Sequence, residues 1–314
     1  MNRKIFTTAM LICAVIFLSS AKSFAAEFEL VSYSAQVKLQ WLANTGMPEA
    51  QNILKEIGTA NIYGKKNLKD YKRLEKINGI YQELCYASTV DYVNKNDYRN
   101  IMDIGGGYTP RAIVMVNDGR KYIGAELTAV ALSATRIMPK FVNAKYRTNL
   151  VYENVPVEDR DAMIGTSDTL SGKLCIIENG LQIYLTRERT DAMFTLIHEI
   201  LKKHGGCFIT SDFATKDMFK DISTAVYGED SAQTLYNETK VMYENLFGAK
   251  LFDNTFTSQA DALNFLKSKG FKVQQVPLVA DASKLYSLKG LDAKQAEQVK
   301  QVCAKNHLWV LTVE

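Results

Sequence analysis

The segment NIMDIGGGYTPRA, which runs from Asn100 to Ala112, decides the fold of this chain. Three apolar residues and one aspartate lead into three consecutive glycines, and Pro110 opens the next stretch. This order predicts a buried strand that ends in a tight turn, because glycine adopts backbone conformations that other residues avoid. Proline is favoured in the first turn of a helix. We therefore expect a strand, a glycine loop that a ligand can approach closely, and a helix.

Strands and helices alternate beyond this segment, with short apolar runs between amphipathic ones. Strands are predicted at 100–104, 121–127, 149–157, 172–179, 207–213, 271–279 and 307–314. Alternation of this kind is typical of an α/β fold with right-handed crossovers. The sequence thus predicts a Rossmann-like, doubly wound, mainly parallel seven-stranded sheet with N-terminal helices and a helical insert after strand five.

The pattern divides the chain into five parts. We predict a signal peptide at 1–25, an N-terminal helical segment at 26–98, a cofactor-binding core at 99–213, a helical insert and candidate lid at 214–258, and a C-terminal part of the core at 259–314.

The first 25 residues have the layout of a secretory signal peptide. Arg3 and Lys4 precede an apolar run from Ile5 to Leu18, and small residues then lead to a predicted cleavage after Ala25. The run is short for a membrane span, so we expect an exported protein, with a membrane anchor as the alternative if the segment is uncleaved. Cleavage removes three cations (Arg3, Lys4 and Lys22) and no acid, which lowers the formal charge from +4 to +1.

Composition indicates an ordinary globular protein, with 47% hydrophobic and 23% charged residues. A formal charge of +1 after cleavage gives no reason to expect nucleic acid as a partner. Of the cysteines that remain after cleavage, Cys175 and Cys207 lie in apolar runs and are expected to be buried thiols. No pair has the spacing of a metal site, and a link between Cys85 and Cys303 stays open.

Acidic residues end the first two strands of the core. Asp103 precedes the glycine loop and Glu126 closes the second strand, where an acid can accept both hydroxyls of a ribose. A dinucleotide loop needs glycine at its third fingerprint position, but Pro110 stands there. Asp103, Gly105 and Gly107, with Glu126, match instead the D-x-G-x-G pattern of methyltransferases, which predicts S-adenosylmethionine as the ligand.

Three segments together resemble the leucine carboxyl methyltransferases and their bacterial relatives, the polyketide-type O-methyltransferases. They are IGGGYTPRA after the first strand, VPVEDRD (Val155–Asp161) after the third, and IIENGLQIYLTRE (Ile176–Glu188) after the fourth. The segments occur in the family's order and cover roughly residues 75–213. The resemblance implies an S-adenosylmethionine-dependent enzyme with a small-molecule or peptide substrate.

The resemblance also implies a role for each matching position. The glycines Gly105, Gly106 and Gly107 would pass under the methionine part of the cofactor, and Arg111 would hold the cofactor carboxylate or a nearby acid. Glu126 would bind the ribose. Glu158 would contact the adenine amino group, although the neighbouring Asp159 replaces an apolar family residue and leaves either acid a candidate. Asn179 replaces a family glycine beside the cofactor.

Three further residues are candidates on the substrate side. Glu178 and Asp212 end strands and would orient the substrate, while Tyr184 matches a family tyrosine that could equally be a packed aromatic. We expect no histidine-based catalysis. The aromatics of the insert are a candidate lid, with ordinary helical packing as the alternative: Phe219, Tyr227, Tyr236, Tyr243, Phe247 and Phe252.

Three hypotheses follow for the function. The first is an exported S-adenosylmethionine-dependent O-methyltransferase that acts on a carboxylate or hydroxyl. The second is an exported, non-catalytic protein that binds a nucleoside or another small molecule on the same fold. The third, which Pro110 disfavours, is a nicotinamide-dependent oxidoreductase.

Overall fold

The computed structural model describes residues 33–59, 71–247, 254, 256–279 and 284–314. Its helices are α1 (residues 33–44), α2 (Pro48–Ile57), α3 (Tyr71–Lys95), α4 (Arg111–Asn117), α5 (Thr128–Ile137), α6 (Arg160–Asp168), α7 (Arg187–His204), α8 (Thr215–Tyr227), α9 (Glu229–Phe247), α10 (Gln259–Ser268) and α11 (Ala293–Lys305). Its strands are β1 (Asn100–Ile104), β2 (Lys121–Glu126), β3 (Leu150–Asn154), β4 (Leu174–Glu178), β5 (Gly206–Thr210), β6 (Lys272–Pro277) and β7 (His307–Thr312).

The strands form one seven-stranded sheet in the order β3-β2-β1-β4-β5-β7-β6. The first five strands pair in parallel, and β7 runs antiparallel to both of its neighbours. This arrangement confirms the predicted doubly wound α/β fold with seven strands. The chain winds outward from β1 to β3 and then returns to β4, so the strand order reverses between β1 and β4.

Alternate residues of each strand supply the two faces of the sheet, as the twofold period of a strand requires. Ile101 and Cys175 pack on one face beneath α2, α4 and α5. Met102 and Ile176 pack on the other face against α6, α7 and α10. Both faces are covered, and this explains why the central strands read as nearly continuous apolar runs.

A third apolar cluster lies beside the sheet, where α8 and α9 pack against α1 and α3. Trp41, Tyr81 and Phe219 are buried in it. The Tyr81 and Phe219 rings stack with centroids 4.5 Å apart. The insert after β5 is therefore joined to the N-terminal helices by a shared core.

Helix ends follow the sequence signals closely. Pro48 is the first residue of α2, and Gly58 caps its C-terminus with a positive φ of 91°. Thr186 caps the N-terminus of α7 by accepting a hydrogen bond from the Arg189 N–H, and Gly205 ends that helix. These caps satisfy backbone groups that the helix itself leaves without partners.

The structure differs from the sequence prediction after β3. The strand ends at Asn154, before Pro156, which lacks the N–H needed to continue a ladder. A helix that the periodicity did not predict, α6, follows at once. It is short and polar, and the Asp159 side chain caps it by accepting from the Ala162 N–H.

The predicted signal peptide lies outside the described residues. Within the part of the chain that the structure does describe, no helix combines the length and apolarity needed to cross a bilayer.

Gly206 offers a test of how tightly β4 and β5 are joined. Its φ is +103°, and a methyl group there would overlap the Leu174 carbonyl oxygen in the backbone of β4. We expect Gly206→Ala to lower the free energy of unfolding by about 3 kcal/mol or more, because left-handed strain adds to a clash that only the backbone can relieve. Urea denaturation would measure the loss.

Gly228 is the matched control, since its φ is +85° and an added methyl group would meet open space. Gly228→Ala should therefore cost only the strain, about 1–2 kcal/mol. If both variants lost the same free energy of unfolding, the contact between Gly206 and β4 would add nothing to the backbone strain.

Candidate functional site

Three buried acids end the central strands of the sheet. Asp103 lies in β1, Glu126 ends β2 and Glu178 ends β4, with exposed fractions of 0%, 4% and 0%. The carboxyl ends of parallel strands share one edge, and ligands of doubly wound sheets bind where the strand order reverses. These acids flank that point, between β1 and β4, and they define the candidate site.

The glycine loop after β1 is shaped by its residues in two ways. Gly105 and Gly107 have φ values of +63° and +64°. Residues that carry a Cβ atom rarely adopt such backbone conformations. Gly106 is needed for space, because a Cβ there would lie 2.7 Å from the Asp103 carboxyl group. The loop and the acid before it therefore form one fitted unit.

Glu126 holds the far end of this loop. Its Oε1 accepts a hydrogen bond of 2.6 Å from the Gly107 N–H. Burial raises the pKa of the Glu126 carboxyl to about 8, although the Gly107 hydrogen bond and the charge of Lys38 act in the opposite direction. The acid predicted to bind a ribose thus lies directly against the glycine loop.

Arg111 forms a buried ion pair with Asp103. Its Nε and Nη2 atoms donate to Asp103 Oδ2 at 2.8 and 2.7 Å, and the Tyr122 hydroxyl donates to the same oxygen. Both charged side chains are almost fully buried. Of the two roles proposed for Arg111, the structure shows the contact with a nearby acid.

The two carboxyl oxygens of Asp103 have different environments, since Arg111 and Tyr122 donate only to Oδ2. Its Oδ1 is buried and has no hydrogen-bond partner among the described residues. This oxygen lies toward Gly106, where an added Cβ would approach it to 2.7 Å. A buried acceptor without a donor is costly, so a donor group of a bound ligand would be favourable at this place.

The turn after β4 is organised by Glu178 and Asp212. Glu178 accepts from the Leu181 N–H at 2.7 Å and from the Gln182 and Thr210 side chains, each at 2.9 Å. Asp212 accepts from the N–H groups of Gly180 and Gln182 at 2.6 and 3.2 Å. The contacts seen for both acids thus hold the turn itself, and their predicted role toward a substrate stays a prediction.

These two acids also affect each other. Burial and the neighbouring Asp212 raise the pKa of the Glu178 carboxyl well above its usual value. Asn179, which follows Glu178, donates to the Thr89 hydroxyl in α3. It accepts hydrogen bonds from the Ser211 N–H and hydroxyl. The asparagine that replaces the family glycine thus ties the ends of β4 and β5 to α3.

Tyr184 lies in a single 3-10 turn after β4 and packs on the cluster formed by α1, α3, α8 and α9. Burial raises the pKa of its hydroxyl, while a hydrogen bond with Ser34 acts in the opposite direction. The residue is therefore a protonated, packed tyrosine at neutral pH.

The two acids after β3 have surface partners. Glu158 pairs with Arg189 in α7, and Asp159 caps α6 through the Ala162 N–H at 3.0 Å. Both acids are exposed. Their predicted contact with an adenine remains a prediction, and for Glu158 the Arg189 guanidinium competes with it.

The aromatics of the insert lie mainly in packing positions. Phe219 and Tyr243 are buried, and Tyr227 and Tyr236 are half-buried against the same cluster. The Tyr243 hydroxyl donates to Asn78 of α3. These contacts agree with the packing alternative for the four residues; Phe252 and the Phe247 side chain lie outside the described structure.

Sequence reasoning missed the part of the site that α1 contributes. Lys38 donates from Nζ to the Gly180 carbonyl at 2.6 Å, and Ala35 lies against Gly107. Burial lowers the pKa of Lys38, although Asp212, Glu178 and Glu126 each raise it. The amphipathic pattern of α1 predicted a helix, but no motif links it to loops that follow much later in the chain.

A cavity of about 40 Å³ remains between α1, α3, the glycine loop and the turn after β4. Its lining includes Lys38, Leu42, Cys85, Tyr86, Tyr108 and Asn179. The four cysteines of the described residues are free, buried thiols. Cys85 and Cys303 are thus separate thiols and form no disulfide in this structure. Within the described ranges, no cluster of histidine, cysteine, aspartate or glutamate side chains is arranged to hold a metal ion.

Comparison with solved structures finds methyltransferases. The magnesium protoporphyrin IX methyltransferase of Synechocystis PCC 6803 with bound SAH is 12% identical, with a TM-score of 0.47 over 85% of this chain and 95% of that one. The methyltransferase domain of bacterial CtHen1 is 12% identical, with a TM-score of 0.46 over 74% of this chain and 100% of that one. A putative O-methyltransferase from Nostoc punctiforme PCC 73102 is 11% identical, with a TM-score of 0.43 over 88% and 71%.

No protein-family model matches the chain, and a search of curated proteins by sequence finds no match either. Likenesses with TM-scores below 0.5 do not define a function.

The ion pair of Asp103 and Arg111 gives a prediction about stability. Arg111→Met leaves a buried carboxylate without its cation, so we expect the free energy of unfolding to fall by about 3–5 kcal/mol. Asp103→Asn combined with Arg111→Met should recover part of this loss. Denaturant unfolding would measure both variants.

Arg99 provides the control, because its partner Asp97 is exposed. Arg99→Met should change stability little, as exposed ion pairs contribute little. A loss as small in Arg111→Met as in Arg99→Met would contradict a structural role for the buried pair.

The pKa of Glu126 gives a prediction about pH. Its pKa is about 8 in the folded chain against an ordinary value of 4.5, so the folded state binds more protons between these values. Stability should therefore fall as pH rises from 5 to 8. Glu126→Gln keeps an acceptor for the Gly107 N–H but cannot ionise, so its stability should fall less over the same range.

Urea titrations at pH 5, 6, 7 and 8 would compare the two proteins. The difference between variant and wild type isolates Glu126 from other buried acids that act in the same direction, such as Glu178. Parallel pH profiles would show that the Glu126 carboxyl titrates alike in the folded and unfolded chain.

Proposed function

We propose that this protein is an S-adenosylmethionine-dependent O-methyltransferase. One observation carries the proposal: the Glu126 carboxyl group, at the end of β2, accepts a 2.6 Å hydrogen bond from the Gly107 N–H, beside the point where the strand order reverses. A ribose acid at the end of β2, adjacent to a glycine loop at the end of β1, is an arrangement suited to an adenosine with a charged substituent.

The other residues of the loop fit the same cofactor. Gly106 leaves no room for a side chain, so the backbone can be approached closely. Asp103 Oδ1 is a buried acceptor without a donor among the described residues, and the cofactor carries an ammonium group that could satisfy it. Glu126 is the residue we assign to the ribose hydroxyls, whereas Glu158 is a candidate for the adenine amino group.

When bound, the cofactor would supply an activated methyl group on sulfur. The protein would position the two reactants and exclude water from them. Methyl transfer mainly requires that the acceptor atom be aligned with the methyl carbon at a distance of about 3–3.5 Å. The Asp103–Arg111 pair fixes the glycine loop, and Glu178 with Asp212 fixes the turn after β4. These two loops would border the place where the cofactor and the acceptor bind.

A carboxylate is the acceptor that this site favours over a hydroxyl. A hydroxyl gains from a positioned base, but Tyr184 stays protonated at neutral pH and Asp212 accepts two backbone N–H groups. A carboxylate needs no base. The resemblance of the three sequence segments to leucine carboxyl methyltransferases points to the same acceptor class, in a small molecule or a peptide.

The second candidate is a non-catalytic binding protein on the same fold. The observation that favours it is the small cavity of about 40 Å³ between the loops. Export, which we propose from residues 1–25, would also separate the protein from cofactor made inside the cell. Mass spectrometry of the mature N-terminus should find a start at Ala26.

Calorimetry with S-adenosylhomocysteine tests the proposed function. We expect binding, and we expect Glu126→Ala to weaken it about tenfold, because the two ribose hydroxyls would lose their partner and each hydrogen bond contributes about 0.5–1.5 kcal/mol. Glu199→Ala is the control, since Glu199 pairs with Arg160 at an exposed position, and its affinity should equal that of the wild type.

The other outcomes separate the hypotheses. Heat with NAD and none with S-adenosylhomocysteine would support an oxidoreductase. Absence of binding to both ligands in the wild type and in Glu199→Ala would support a different binding function and would overturn the proposal.

A further inference from the structure

Helix α1 lies directly on the glycine loop. A Cβ added to Gly107 would lie 2.9 Å from the Ala35 Cβ, so the helix and the loop are in close contact. Toward the turn after β4, a Cβ added to Gly105 would lie 3.5 Å from the Leu181 side chain. The space above the loop is thus filled by the protein's own residues.

Lys38 makes a second contact one turn further along α1. Its Nζ donates to the Gly180 carbonyl at 2.6 Å, in the turn after β4. Three acids attract its charge (Asp212, Glu178 and Glu126), while Arg111 repels it. A single helix therefore joins the two loops that flank the reversal of strand order.

The remaining space is too small for the proposed cofactor. Pockets that hold small molecules measure about 300–1,000 Å³, whereas the cavity beneath α1 measures about 40 Å³. A ligand with an adenosine and an amino acid needs part of this cover to move.

The burial of α1 shows which part can move. Val37, Leu39, Trp41 and Leu42 are buried, and Trp41 packs on Tyr243 with ring centroids 5.7 Å apart. Withdrawing all of these side chains would expose a large apolar surface to water, which is unfavourable. The first turns contribute only one of these four side chains, Val37, together with the buried Ser34, whereas Ala35, Gln36 and Lys38 are half-buried. Displacing residues 33–38 therefore uncovers less of the cluster than displacing the whole helix.

We propose that residues 33–38 form a latch over the cofactor cleft, which Lys38 holds closed on the Gly180 carbonyl and which opens when the cofactor binds. The ligand's identity in this proposal rests on the proposed function. A closed state lowers the apparent affinity by the fraction of molecules that are open. Weakening the latch should therefore tighten binding, although it removes a cation from the site.

Lys38→Met is the test variant, and Lys76→Met is its matched control. Lys76 lies in α3 and also donates from Nζ to a backbone carbonyl, that of Gly290 at 3.4 Å, outside residues 33–38 and both loops. Calorimetry with S-adenosylhomocysteine should give an affinity about tenfold higher for Lys38→Met than for the wild type. Lys76→Met should match the wild type.

A second readout needs no ligand. Cys85 is buried and lines the cavity beneath α1, whereas Cys175 is buried in the sheet. Alkylation by N-ethylmaleimide, followed at each cysteine by peptide mass spectrometry, should be about tenfold faster at Cys85 in Lys38→Met than in Lys76→Met. The rate at Cys175 should not change, which distinguishes opening of the latch from general unfolding.

The outcomes separate the latch from the proposed function. Weaker binding in Lys38→Met would make Lys38 a cofactor ligand and would overturn the latch. Unchanged affinity and an unchanged rate at Cys85 would overturn it while the methyltransferase assignment stands. If no variant binds S-adenosylhomocysteine, the proposed function fails, and the rate at Cys85 alone decides whether Lys38 holds the helix closed.

Discussion

The buried ion pair of Asp103 and Arg111 constrains the centre of the molecule. A carboxylate with no exposure requires a cation and further donors, and the structure supplies both from α4 and β2. This requirement fixes the start of α4 over the end of β1. It also explains why the loop between β1 and α4 has a glycine at position 106, where a Cβ atom would clash with the Asp103 carboxyl group. The shape of the loop follows from satisfying one buried charge.

A similar constraint acts on the other side of the strand reversal. Glu178 and Asp212 accept hydrogen bonds from backbone N–H groups of the turn after β4, so two acids order three consecutive residues, 180–182. Buried charges and hydrogen bonds thus hold both loops, and α1 contacts each of them through Ala35 and Lys38. The part of the site that can change is the helix that covers it, since the loops are held by buried hydrogen bonds.

The fold could be predicted from the sequence because its signals are local. Glycine, proline and capping residues mark most helix ends, and the apolar runs gave all seven strands. The short helix α6 was missed because it is polar and has little periodicity. In the site, Asp103, Glu126 and the glycines could be recognised from their spacing. The contributions of Ala35 and Lys38 could not, because they arise from packing between segments that are far apart in the chain and that share no motif.

The antiparallel strand β7 has a consequence for how the chain is assembled. Among the described strands, β6 pairs only with β7, and β7 follows β6 only after α11. While the chain is being synthesised, β6 would have no partner and the edge of β5 would stay open until residues 307–312 have emerged. Completion of the sheet is thereby delayed to a late stage of synthesis.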